Sequence, residues 1–136
     1  MSRSGSPDPQ AALATVPRAL LGSSAVILVV AAVLNWQGSA GSGPEVVSWM
    51  AVAWAAFAPL VATLVRGQGL VAPPPDPGES EAALATRLQK TIVFFGVLES
   101  AVILAAVALL VSTPAWPFAA GLFPLAVMAL NLPRRG

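Results

Sequence analysis

An all-α integral membrane bundle of four helices is the fold class this sequence predicts, and three observations predict it. The chain is 57% hydrophobic and only 10% charged, with a mean hydropathy of +0.79. A soluble domain of 136 residues has too little interior to hide that much apolar area. Four apolar stretches, 19–36, 46–65, 91–111 and 115–132, are each close to the ~20 residues a helix needs to cross ~30 Å of hydrocarbon. Finally, all 7 basic residues fall at one end of these stretches. Arg3 and Arg18 precede the first, Arg66, Arg87 and Lys90 lie between the second and third, and Arg134 and Arg135 follow the fourth. The positive-inside rule makes that end cytoplasmic, with both termini inside. Trp36, Trp49 and Trp116 sit at the opposite ends of their spans, where an interfacial aromatic belt belongs. A bias to Ala, Pro, Gly and Arg suits a GC-rich bacterium, so the expected location is a bacterial inner membrane.

In chain order, residues 1–18 read as a cytoplasmic N-terminal segment whose first ten residues are too polar and Pro/Gly/Ser-rich to fold. Pro17 stands close to the membrane, so a helix is expected to begin or break there. Residues 19–66 form a first transmembrane hairpin turning through the cation-free loop 37–45. The basic start, the apolar run and Gly38-Ser39-Ala40 also resemble a signal peptide with its cleavage site. The lead-in is as long as the apolar run, however, and the run exceeds the ~7–15 residues of a signal core, so span one is expected to stay. Residues 67–90 are a cytoplasmic loop, Pro-rich at GQGLVAPPP, followed by a helical lead-in. There Asp76-Pro77-Gly78-Glu79 reads as a helix start, with Asp76 as N-cap, and Glu81 suits the positive end of the dipole. One long helix is therefore expected from about 77 to 111. Residues 91–132 make the second hairpin, and 133–136 a cytoplasmic tail.

The two hairpins look alike. PDP occurs at 7–9 and 75–77, AALAT at 11–15 and 82–86, SAVIL at 24–28 and 100–104, and a Pro-Leu pair at 59–60 and 124–125. Tandem duplication in this order gives a parallel repeat, its halves related by an axis along the membrane normal. Chance recurrence in so Ala-, Val-, Leu- and Pro-rich a chain is the competing explanation. Pro59 and Pro124 each free a carbonyl and favour a bend. Small residues suited to close helix contact recur at Ala51-xxx-Ala55, Ala58-xxx-Ala62, Gly96-xxx-Ser100, Ala101-xxx-Ala105 and Ala119 to Gly121. They serve either packing within the bundle or an oligomer face.

The chain has no Cys and no His, which removes disulfides, thiol chemistry and His-based metal or proton-transfer sites. No nucleophile–base pair, metal cluster or phosphate loop stands out, so neither an enzyme nor a cofactor is expected. A net charge of +1 points to no nucleic-acid partner. The expected partners are the lipid bilayer, a second copy, or a larger membrane complex.

Glu99 is the exception, the one charged side chain well inside a span. Insertion scales put an acid at a helix centre at about 2.5–3.5 kcal/mol. Lys90 is nine residues away, about 13 Å along the axis, and Arg66 would have to reach outward. Without a cation, desolvation favours the neutral, protonated acid. It could then donate to a carbonyl freed by Pro59 or Pro124, fixing helix register, or it could bind and release a proton or cation. TRLQKTIVFFGVLESAVILAAVALLVS resembles the carboxylate-bearing helix of rotary ATP synthase proteolipid (c) subunits. That resemblance implies an ion-binding role for Glu99. In the duplicated, four-span vacuolar-type arrangement it also resembles, Glu99 falls where the first half has Ser23. Overall the chain resembles small four-span bacterial membrane proteins that imply no known activity. The leading expectation is a structural or accessory packing subunit, the alternative a proton- or cation-binding carrier or proteolipid-like subunit using Glu99.

Overall fold

The computed structural model describes residues 9–38, 41–67, 78, 80–112 and 114–132. It contains the helices α1 (Pro9–Trp36), α2 (Val46–Arg66), α3 (Glu81–Val111) and α4 (Pro117–Leu130), with no strand among the described residues. The all-α four-helix bundle is as expected. The proline-rich segment 68–77, most of the N-terminal segment 1–10 and the tail 133–136 lie outside the described residues.

Local chemistry sets the boundaries, and three of them correct the sequence reading. α1 does not start or break at Pro17. It begins at Pro9 and runs through Pro17, which is buried. In both AALAT strings the Thr hydroxyl donates to the carbonyl of the first Ala, at 2.9 Å for Thr15 and 3.1 Å for Thr86. α3 starts four residues later than expected. Gly78 has φ +86°, which no helix accommodates, and the cap is Ser80, whose side chain accepts from Ala83 N–H at 3.1 Å. Asp76, the expected cap, lies outside the described residues. α4 is the third correction. It has only 14 residues, about 21 Å of helix against ~30 Å of hydrocarbon. Among the described residues three helices are long and apolar enough to cross a membrane, and α4 is a shorter apolar helix started by Pro117. α2 closes on Gly67 in the left-handed region (φ +73°), whose N–H bonds Thr63 O at 2.9 Å. α2 and α4 continue through Pro59 and Pro124.

Contacts define an up-down bundle. α3 packs against α1, α2 and α4, and α4 also touches α2 and α1. α1 and α2 do not touch each other. The first half is therefore not a packed hairpin, because α3 sits between its two helices. The repeat nevertheless reappears between the halves. Ser23 meets Glu99, 76 positions on, the spacing of the two SAVIL strings. Arg66 meets Asn131, 65 positions on, the spacing of the two Pro-Leu pairs. Equivalent positions thus face each other on parallel neighbours.

Inside the bundle, Ala51, Ala55, Ala58, Ala62, Ala101 and Ala105 are all buried, so these small-residue pairs serve internal packing. Lipid is as apolar as leucine, so the gain is close van der Waals contact rather than removal from water. One core cluster joins Leu28 and Ala31 to Val102, Ala105, Ala106 and Leu109. A second joins Ala62, Phe94, Phe95, Leu98, Val127 and Met128. Gly121 holds α4 close. A Cβ there would lie 2.9 Å from Leu28 Cδ1 and 3.1 Å from Ala105 Cβ.

Since α1 and α2 flank α3, the segment joining them has to cross α3's C-terminal end, and the crossing is chemically productive. A helix leaves its last four carbonyls without intrahelical donors. Here Ala108 O takes Ser112 N–H (3.0 Å), Leu110 O takes Gly41 N–H (2.9 Å) and Val111 O takes Gly43 N–H (2.7 Å). Leu109 O takes the side-chain amide of Asn35, at 2.8 Å. The same amide reaches Ser112 O at 3.1 Å. Gly43 is required by space, since a Cβ there would come within 2.7 Å of Val111 O.

Candidate functional site around Glu99

At the end of the bundle opposite the tryptophans, Arg66 is 3% exposed. Its guanidinium lies 3.6 Å from the Phe94 ring centroid and Nη1 donates to Asn131 Oδ1 at 2.8 Å. Asn131 is fixed in turn by its own amide, which donates to Val127 O at 2.8 Å. Arg66 is therefore turned into the bundle's end and away from the position where it would meet Glu99. At the other end Trp49 and Trp116 pack with ring centroids 5.0 Å apart.

Glu99 lies on α3 about 18 Å, twelve residues, from Val111. It is half-buried at the seam with α1. Its described partner is Ser23, with Oγ 3.4 Å from Oε1. The expected bond to a carbonyl freed by Pro59 or Pro124 is not formed among the described residues. Ser23 Oγ also stands 3.1 Å from Leu20 O. One hydroxyl has one proton to give. Leu20 O and Glu99 Oε1 therefore compete for the one Ser23 proton.

The next residue belongs to the opposite seam. Ser100 Oγ donates to Val97 O at 2.6 Å and accepts from Trp54 Nε1 on α2 at 2.9 Å. Ser23, Glu99, Ser100 and Trp54 thus form a polar band at one depth across α1, α3 and α2. Gly96 lies one turn before Glu99, exposed, with nothing within 4 Å of the place a Cβ would take. Gly96-xxx-Ser100 therefore faces outward, unlike the buried alanine pairs. Sequence reasoning found Glu99 but missed Trp54 and the role of Ser100. Ser23 was signalled by its alignment with Glu99 in the repeat. Among the described residues no group of three or more His, Cys, Asp or Glu could hold a metal ion.

No family model, no curated protein and no solved structure matches this chain.

Proposed function

We propose that the chain is a multi-pass protein of a bacterial cell membrane, with both termini cytoplasmic, acting as a structural or accessory packing subunit rather than a catalyst. The distribution of basic residues and tryptophans supports the orientation. α4, with its flanking residues 114–116 and 131–132, serves as the fourth crossing. The observation that carries the role is how the polar groups are used. Asn35 and the loop amides of Gly41 and Gly43 close the end of α3, and Trp54 ties α2 to Ser100. These bonds fix helix positions instead of converging on a substrate.

A second reading, a proton- or cation-binding carrier or proteolipid-like subunit, is favoured by the Ser23–Glu99 contact, since a carboxyl beside a hydroxyl can exchange a proton or ligate a cation. Glu99→Gln separates the two, because it keeps a polar group of the same shape and removes the ionisable one. The accessory reading expects no ion flux that depends on Glu99 in reconstituted vesicles, with native mass spectrometry of the wild-type chain giving a defined complex with larger subunits. Loss of an ion flux with the assembly intact, or a homo-oligomeric ring, would overturn it.

A further inference from the structure

We propose that the outer face of α3 docks a transmembrane helix of a partner protein, one that carries a single basic side chain at the depth of Glu99. The proposal rests on the accessory reading and names the class of partner. α3 lies between α1 and α2 with α4 behind it, so its outer face is open. Ile92, Ile103, Val107 and Leu110 on that face are all exposed, as any lipid-facing residues would be. The polar band crossing it is different. Hydrocarbon offers Ser23, Glu99, Ser100 and Trp54 no further partners, so a bare band raises the cost of insertion. Among the described residues Glu99 makes no ion pair, and its contact to Ser23 is at the long limit of a hydrogen bond.

Charge decides the occupant. The chain's cations lie at the span ends, and Arg66 is committed to Phe94 and Asn131. A second copy would bring only another acid to this depth. A Lys or Arg from a different chain neutralises Glu99 while Glu99 neutralises it, relieving the insertion cost of both helices. The space beside Gly96 lets the partner backbone approach closely.

The test uses the full chain in phosphatidylcholine vesicles, labelled on a single Cys added at its C-terminus. Acceptor-labelled synthetic polyleucine helices carrying Lys, Leu or Glu at the centre are titrated by energy transfer. The Lys helix should bind about tenfold or more tighter than the Leu helix. Glu99→Gln should abolish that preference. Gly96→Leu, with the acid intact, should weaken Lys-helix binding. Equal binding of the Lys and Leu helices, or an unchanged preference in Glu99→Gln, overturns the proposal. So does saturable transfer between differently labelled wild-type chains that Glu99→Gln removes, which would make a second copy the occupant. If the Lys helix shows no preference, proton or cation flux through the same vesicles identifies what has failed. A flux abolished by Glu99→Gln also sinks the accessory reading, whereas no flux sinks the docking proposal alone.

Discussion

Replacing Asn35 by leucine keeps the side chain's approximate volume and removes the donor that closes α3. The amide has two hydrogens and three carbonyls in reach, Leu109 O at 2.8 Å, Ser112 O at 3.1 Å and Pro114 O at 3.4 Å. It serves at most two at once, and the two shortest contacts set the magnitude. Interhelical hydrogen bonds in membrane proteins average about 0.6 kcal/mol and reach about 1.7 kcal/mol. Leaving a buried carbonyl without a donor costs about 1–3 kcal/mol. Asn35 is 8% exposed, so water can replace it only in part. Asn35→Leu should therefore lower stability by about 1–3 kcal/mol. The matched control is Ser24→Ala. Ser24 Oγ is buried with no hydrogen-bond partner among the described residues, so its removal should be neutral or stabilising by up to about 1 kcal/mol. Reversible unfolding in mixed micelles titrated with SDS, followed by tryptophan fluorescence, compares the two. If Asn35→Leu and Ser24→Ala shift the midpoint equally, the closure of α3 by Asn35 contributes nothing and the reasoning is refuted.

Three further outcomes are expected. Gly43→Ala should destabilise by about 1–3 kcal/mol, as overpacking does, while Gly22→Ala, with open space around it, should gain up to about 1 kcal/mol from helix propensity. The same titration reads both, and the reverse order would place the loop elsewhere than over Val111. Gly121→Leu should push α4 off Leu28 and Ala105, seen as lost protection of Leu28 and Leu125 amides in hydrogen exchange; unchanged protection would mean that α4 does not pack there. Ser80→Ala should cost about 1 kcal/mol and fray the first turn of α3, whereas a helix starting at Pro77 would leave the Ala83 and Leu84 amides protected.

Much of the fold was legible in sequence because hydrocarbon imposes one length and one polarity on a helix. Trp36, Val46 and Val111 were placed as helix ends from the apolar runs alone, and each is a helix terminus. Capping was less legible. Asp76-Pro77 reads as the start, but Gly78 has a positive φ and Ser80 caps α3. The extension of α1 through Pro17 depends on neighbours that bury the proline, which no local propensity encodes. Helix order was the least legible property. Sequence neighbours usually pack, so a first hairpin was expected, yet the loop from α1 to α2 crosses the end of α3 instead. Glu99 announced itself by its charge. Ser100 and Trp54 did not, because a serine and a tryptophan in an apolar span carry no sign of whether they meet.

α3 lies between α1 and α2, with Glu99 against Ser23. The chain has no Cys, so paired cysteines introduced for disulfide cross-linking in native membranes have no background. Ser23→Cys with Glu99→Cys should cross-link on mild oxidation, and a panel of α1–α2 pairs at matching depth should not. Efficient α1–α2 cross-links, with the 23–99 pair silent, would instead place α2 directly against α1 as a packed first hairpin.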